Sequence, residues 1–362
     1  MLLSDQGAVF RAPRLQLIAN GQVLTGALEA EVISNNYYAS DRFTATVALG
    51  PDPWAGAEFW AANSHILVDV QFSLDGGASF TSLVQGAVDN ISFDPNAGLV
   101  HLDGRDLTAG LIESRTQETF ANRTASEIAS LLAQRHNLTP CVSPTSTPVG
   151  RYYQSEHERI TLDQFSRTTT EWDLLVFLAR QESFDLFVQG SALYFQPAAQ
   201  PTGPTLALTP QDVLDLRLSR SLTLARDIEV IVRSWNSREN MGLAQQLTAS
   251  CLDTAGPSNA PPQRYVFVRP NLTADDAARF AQRMITELTR HERSISISMP
   301  GELTLTPRSM IAIQGTGTDF DQTYYVDVIE RRLRQNGGLI EHVLAHSSSP
   351  RSSQTAVMGN SQ

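Results

Sequence analysis

Cysteine is nearly absent: the 362 residues contain two, Cys141 and Cys251. A pair so far apart makes neither a disulfide framework nor a Cys-x-x-Cys metal site, and it fits synthesis in a reducing cytoplasm. Basic residues are outnumbered, 27 Lys and Arg against 38 Asp and Glu, for a net charge of -11. Nucleic-acid binding by phosphate neutralisation needs clustered cations, so that class is disfavoured; a surface past which DNA slides without sticking is not. No apolar run approaches the roughly 20 residues of a transmembrane helix. The first residues, Met-Leu-Leu-Ser-Asp-Gln-Gly, carry neither the basic nor the apolar region of a secretory signal, so no membrane insertion is expected.

Catalytic signatures are missing too. No serine sits in a Gly-x-Ser-x-Gly elbow, and there is no Gly-x-x-x-x-Gly-Lys loop and no Gly-x-Gly-x-x-Gly after a strand. His342 and His346 are four apart, but the alternation around them is that of a strand and no third ligand lies near in sequence, so they read as solvent-facing. Arg331, Arg332 and Arg334, beside Glu330, form the one dense basic spot and read as a solvated hairpin end. No catalytic residue, cofactor or metal is expected, and a protein without a visible site more often binds or builds than catalyses.

What is present is globular: 41% hydrophobic and 18% charged residues, in a chain long enough for two or three domains. Strand alternation begins with Leu15, Leu17 and Ala19 before the hairpin signal Asn20-Gly21. It continues with Phe43, Ala45, Val47 and Leu49, then Ile66, Val68 and Val70, a turn at Asp75-Gly-Gly77, Leu83 to Ile91, and Leu99 to Leu102. The first hundred residues therefore read as an antiparallel sheet or barrel. The stretch HLDGRDLTAGLIES (101 to 114) sets Asp103 and Asp106 about Gly104-Arg105, as an acid/base pair would be. A corner accounts for more of its residues: Gly104 allows a turn and Asp106 caps a short helix starting at Leu107. Trp54, Phe59 and Trp60 are candidates for a protein or carbohydrate interface, against a short helix laying its aromatic face on the sheet.

Past Asp106 the character changes. Thr124-Ala-Ser-Glu127 is a capping box before an apolar stripe of Ala125, Ile128, Leu131 and Leu132. Residues 137 to 157, broken by prolines, read as loop. Thr170-Glu-Trp-Asp173 caps a second helix, Trp172 to Gln181, followed by a hairpin from Phe184 to Phe195 turning at Gly190. This α/β unit ends at the linker Ala199 to Pro204. Strands follow at 213–218 and 228–232, then a Pro/Gly/Ser-rich loop at 252–263. A helix capped by Thr273-Ala-Asp-Asp276 carries Ala277, Phe280, Ala281, Met284, Ile285 and Leu288 on one face. The meander Met310 to Gln314, Tyr325 to Ile329 and Leu339 to Leu344 repeats the order and lengths of 66–71, 83–91 and 99–102. This reads as an internal duplication with the α/β unit between the copies. The tail from 347 is polar and expected to be disordered in isolation.

Four segments in this order resemble the phage tail hub family of the late control D type: LDGRDLTAGLIES (102 to 114), FANRTASEIASLLAQRHNL (120 to 138), TEWDLLVFLARQESFDLFVQGSALYF (170 to 195) and LTPRSMIAIQGTGTDFDQTYYVDVIERRLRQNGG (305 to 338). Ser183 stands where a glycine is common and Glu330 where a histidine is frequent, and no fused oligosaccharide-binding fold or β-helical spike follows. The resemblance implies an α+β fold, mostly antiparallel β. It implies two similar β-barrel-like tube domains (1–106, and 205–346 with helix 273–291), an inserted small α/β domain (107–204) and a polar tail (347–362). It also implies a homotrimeric, non-enzymatic baseplate hub, a pseudo-sixfold ring between a sixfold tail tube and a threefold spike. Its partners would be a tail tube or distal tail protein, a separate spike protein and a tape-measure protein. DNA would pass an acidic lumen without specific binding, and the location would be the virion tail after assembly in the host cytoplasm. Two other readings stand beside it: a carbohydrate-binding or glycan-cleaving β-rich protein using Trp54, Trp60 and a carboxylate pair, and a hexameric tail tube or adaptor protein with one tube domain per chain.

Overall fold

The computed structural model describes residues 11–51, 56–115, 118, 120, 122–146, 148–149, 151–153, 158–160, 170–198, 203–222, 228–236, 241–251, 263–269, 272, 274–347 and 352–359. The first unit opens with a hairpin, β1 (Arg14–Ala19) and β2 (Gln22–Val23), over Asn20-Gly21, both left-handed at φ 47° and 81° as a two-residue turn requires. β3 (Ala27–Asn35), β4 (Arg42–Ala48), helix α1 (Ala57–Ala62), β5 (Leu67–Ser73), β6 (Thr81–Asp94) and β7 (Leu99–Asp106) follow. Their inward residues, among them Leu17, Val32, Phe43, Val47, Val70 and Val100, bury one face.

The α/β unit holds α2 (Thr108–Glu113), α3 (Ala125–Arg135), β8 (Thr139–Val142), β9 (Arg151–Tyr153), β10 (Glu158–Ile160), α4 (Glu171–Glu182), β11 (Phe184–Gln189) and β12 (Ala192–Pro197). Both capping boxes form, Thr124 with Glu127 and Thr170 with Asp173. α4 ends on Ser183 at φ 61°, the left-handed position where glycine carries no steric penalty, which accounts for the glycine common there in the resembling family. The stretch read as loop at 137–157 contains β8 and β9. Their few paired residues, interrupted by prolines, give no alternation long enough to read.

The remaining elements are β13 (Leu206–Leu208), β14 (Asp215–Arg220), β15 (Ile228–Asn236), β16 (Met241–Cys251), β17 (Gln263–Val268), α5 (Ala274–Thr289), β18 (Arg293–Pro300), β19 (Met310–Ile313), β20 (Thr323–Arg334), β21 (Gly338–Ser347) and β22 (Ser352–Gly359). β15, β16, β17 and β22 leave the main sheet and form a four-stranded sheet of their own, on which α5 packs Ala277, Ala281 and Ile285. Residues 352–359 of the polar tail are thus a strand: an open edge on β16 satisfies their backbone, whatever their composition. Thr273 and the loop at 252–262 lie outside the described residues.

The fold is α+β and mostly antiparallel β, as expected, but neither unit closes into a barrel. One open 13-stranded sheet runs β14-β18-β21-β20-β3-β4-β7-β6-β5-β1-β2, with β19 beside β20 and β13 beside β19. The edge of β3 away from β4 is taken by β20 of the other unit. Within this sheet one topology occurs twice. Strands 3 to 7 lie in the order β5-β6-β7-β4-β3, and β14, β18, β19, β20 and β21 lie in the order β19-β20-β21-β18-β14. Both copies carry a bulge at the same place: Asp89 between Val88 and Asn90, and Asp327 between Val326 and Val328.

Candidate functional site: a strand seam and its open counterparts

Of Asp103, Gly104 and Asp106, read from the sequence as a corner, Asp103 and Gly104 lie within β7 and Asp106 ends it. Asp103 is exposed on β7. Gly104 lies inside that strand and not at a turn: a Cβ there would stand 2.4 Å from the Ala87 carbonyl oxygen and 2.4 Å from the Phe43 ring. Asp106 is buried and accepts hydrogen bonds from Ser40 Oγ (2.7 Å), the Asp41 amide (3.2 Å) and the Thr108 amide (3.1 Å), holding the start of α2 against the β3–β4 turn. Asp41 accepts from the Asn35 amide at 2.7 Å.

Burial pushes both carboxyls up, Asp41 to about 7 with the Asp106 charge adding to the rise. A carboxyl with a raised folded-state pKa contributes most below its unfolded value near 3.9, and that contribution disappears as pH rises through 7. Asp41→Asn, which keeps the acceptor oxygen, should therefore leave stability nearly unchanged at pH 4 and raise it at pH 8 by up to about 4 kcal/mol. Denaturant titrations at the two pH values test this, and an equal effect at both would remove the assignment.

The aromatic candidates are placed differently from the interface expectation. Phe59 and Trp60 are 9% and 4% exposed, edge to face at 5.0 Å, inside the first core. They are the only large apolar side chains of the six-residue α1, which must bury them to dock on the sheet. Trp54 lies outside the described residues. The basic spot is a solvated hairpin end only in part: Arg332 and Arg334 are exposed, each facing a carboxylate on another strand, whereas Arg331 is 3% exposed. His346 is buried against Asp327 at 2.7 Å, whereas His342 is exposed as expected.

What the arrangement builds is a seam. β20 is long enough to serve two partners: Thr323 to Tyr325 pair with β19, and Val328 to Arg334 pair antiparallel with Asn35 to Glu29 of β3. Across it Arg332 Nη2 meets Glu31 Oε2 at 2.6 Å, and Arg334 faces Glu29 at 3.5 Å. Behind it Arg331 and Glu341 form a buried pair at 3.0 Å.

The first unit has the same parts with nothing on them. β5 and the Ile66 carbonyl before it pair with Thr81 to Val88 of β6, so among the described residues 89–94 are paired on one side, by β7 alone. β14, the counterpart of β3, is paired by β18 alone and ends the sheet. The ladder Glu31–Thr44–Asp103–Asn90 of the first unit corresponds to Arg217–Ser296–Leu344–Val328 of the second. With Asp89 laid on Asp327, Asp94 falls on Arg332 and Arg217 on Glu31. The open edges therefore carry the seam's opposite charges with the signs exchanged. Phe93 (44% exposed), Leu214 (65%) and Leu222 (73%) lie on or beside them, an apolar exposure that a monomer's edge strands ordinarily avoid.

No protein-family model and no curated protein matches the sequence. Solved structures match in fold. A tail protein from Neisseria meningitidis MC58 aligns with TM-score 0.68 at 11% identity, over 93% of this chain and 97% of that one. The 43 kDa tail protein of prophage MuSo2 from Shewanella oneidensis gives 0.66 at 16%, over 92% and 98%. A type VI secretion component of E. coli, described as similar to the T4 tail proteins gp27 and gp5, gives 0.54 at 13%, over 95% and 80%. The chain has the fold of these tail proteins, and the resemblance read in the four sequence segments holds at that level. No helix is long and apolar enough to cross a membrane among the described residues.

Proposed function

We propose that the protein is the structural hub of a phage or phage-like tail, three chains closing into a ring of six sheet units. The observation that carries this reading is the β3–β20 seam. One chain joins its two like-folded units edge to edge, and it leaves at its extremities the counterparts of the very edges it has joined. Pairing β14 of one copy with the far half of β6 in the next repeats the seam, and repetition through a head-to-tail contact closes a ring when the rotation per unit allows it. The shared topology and shared bulge support an origin of the two units by duplication.

Three copies would set six similar units beneath a sixfold tube while keeping threefold symmetry for a separate spike protein. A tail tube or distal tail protein, a spike and a tape-measure protein are the partners this architecture serves. The net charge of -11 suits a channel from which DNA is repelled. The role is non-enzymatic, in line with the tail proteins of like fold. Burial of Phe59 and Trp60 removes most of the aromatic platform that a glycan-binding reading needs. Two like units in one chain disfavour a hexamer with one tube domain per chain.

The mass of the purified protein in solution, by native mass spectrometry, tests the reading. Three times 39.7 kDa is expected. A stable hexamer supports the tube reading instead, and a monomer even at high concentration overturns the ring.

A further inference from the structure

We propose that His291, Asp327 and His346 form a binding site for a divalent transition-metal ion, zinc or a metal of similar ligand preference, where the end of α5 meets the second sheet unit. The three residues come from three places: His291 lies two residues past α5, Asp327 is the bulged residue of β20, and His346 stands on β21. Each offers one ligand atom, and the three atoms lie within 4.8 Å of one another. The imidazole rings of His291 and His346 are 5.0 Å apart between centroids. Two imidazole nitrogens and a carboxylate oxygen are the donor set of a three-ligand zinc site with a fourth position open to water.

The comparison between the two units sharpens the assignment. Laying Asp89 on Asp327 also lays Arg105 on His346. In the first unit the carboxylate is closed by a guanidinium, with Arg105 Nε 2.6 Å from Asp89 Oδ2 and Nη2 2.8 Å from Oδ1, and Arg105 also reaches Glu113. A guanidinium has no lone pair to give a metal. In the second unit the same place holds an imidazole, which has one, and a second imidazole has been brought beside it. The bulged carboxylate faces Arg105 in the first unit and the two imidazoles in the second, so at this place the second unit alone has ligand chemistry.

The geometry needs modest adjustment. Ligands at about 2.0–2.1 Å in a tetrahedral site stand roughly 3.3 Å from one another, so the 2.7 Å contact of His346 Nδ1 with Asp327 Oδ1 must open while His291 closes. His291 is the exposed member, and its exposure is also the entry path. On the other side the Tyr37 hydroxyl, from the β3–β4 turn, lies 3.3 Å from His346 Nε2. The Arg290 guanidinium stacked on Tyr37 at 4.3 Å opposes a cation, so a weak site in the micromolar range is expected rather than a permanent one. Filled, it would clamp α5 and its four-stranded sheet to the strands of the seam.

The test is zinc binding to the full chain by competition with a chromophoric chelator, with cobalt(II) as a spectroscopic substitute. One ion per chain is expected, with the visible absorption of a four-coordinate cobalt site and a melting temperature that rises with added zinc. His291→Ala, at an exposed position, and Asp327→Asn, which retains an acceptor for the His346 ring N–H, should each weaken binding by at least about tenfold. His342→Ala, on the solvent face, should leave it unchanged. No binding at one equivalent up to millimolar zinc overturns the proposal, as does undiminished binding by the His291→Ala protein. The latter readout stands even where Asp327→Asn fails to fold.

Discussion

Arg331→Met is expected to cost about 3 to 5 kcal/mol and to drive much of the chain into aggregates, although it removes one side chain that the sequence suggests is solvated. Arg331 is 3% exposed and Glu341, opposite it on β21, is fully buried. The guanidinium also donates to the Glu302 carbonyl at 2.9 Å and the Leu305 carbonyl at 2.6 Å, while Glu341 Oε2 accepts from the Glu302 amide at 2.7 Å. Truncation leaves a buried carboxylate with no counter-charge and two carbonyls with no donor. Burial already raises the Glu341 pKa against the pull of Arg331, so the variant will take up a proton on folding. A raised pKa places the deficit at high pH. The loss should be small near pH 5, where the carboxyl is neutral, and full at pH 8.

The first unit shows what the pair can be exchanged for. At the corresponding register β6 and β7 carry Phe93 and Val100, an apolar pair. Arg331→Met with Glu341→Val should therefore recover more than half of the single variant's deficit, limited by the unsatisfied groups of Glu302 and Leu305. Thermal melts of the two singles and the double close the cycle. A double no better than the sum of its singles would mean that the two charges do not act as a pair.

The elements legible in the sequence are those set by local rules. The Asn20-Gly21 turn, the Thr124 and Thr170 capping boxes, the Gly190 hairpin and the two meanders follow from two to twelve neighbouring residues, and the structure has them all. What the sequence hid is partnership at long range. The register that buries Arg331 and pairs Arg332 with Glu31 joins strands some three hundred positions apart, and nothing near either strand announces it. The same holds for β22, whose polar residues look unstructured until an edge on β16 is present to pair with. His346 reads as a solvent-side residue because strict alternation from His342 places both on one face. The end of β21, packed against Tyr37, Tyr325 and His291, covers His346 and leaves His342 open. The repeated strand order was visible as a repeat of lengths; the repeated bulge that makes the two units residue-for-residue comparable was not.

That comparability yields a second large effect, on assembly. In the proposed ring, Arg217 of one copy would face Asp94 of the next as Glu31 faces Arg332 within the chain, and Phe93 would face Leu218 as Arg331 faces Val32. In the single chain Arg217 is 77% exposed and, among the described residues, paired with Asp215 at 3.0 Å, an exposed pair of little value that assembly gives up at small cost. Arg217→Glu sets like charges across every contact. A penalty of about 1.4 kcal/mol at each is tenfold, and three equivalent contacts multiply to about a thousandfold in the trimer's association constant. The folded monomer is untouched by the change, so its melting temperature should hold while its mass falls from three chains to one. Asp94→Lys alone is a poor test because Asp94 also accepts the Asn96 and Ala97 amides of its own turn. Combined with Arg217→Glu it restores the opposite charges, and the double variant should regain the trimer. Phe93→Asp, with no charge partner to restore, should abolish assembly outright. A trimer indifferent to Arg217→Glu and Phe93→Asp alike would place the contacts elsewhere on the chain and detach the ring from the internal seam that suggests it.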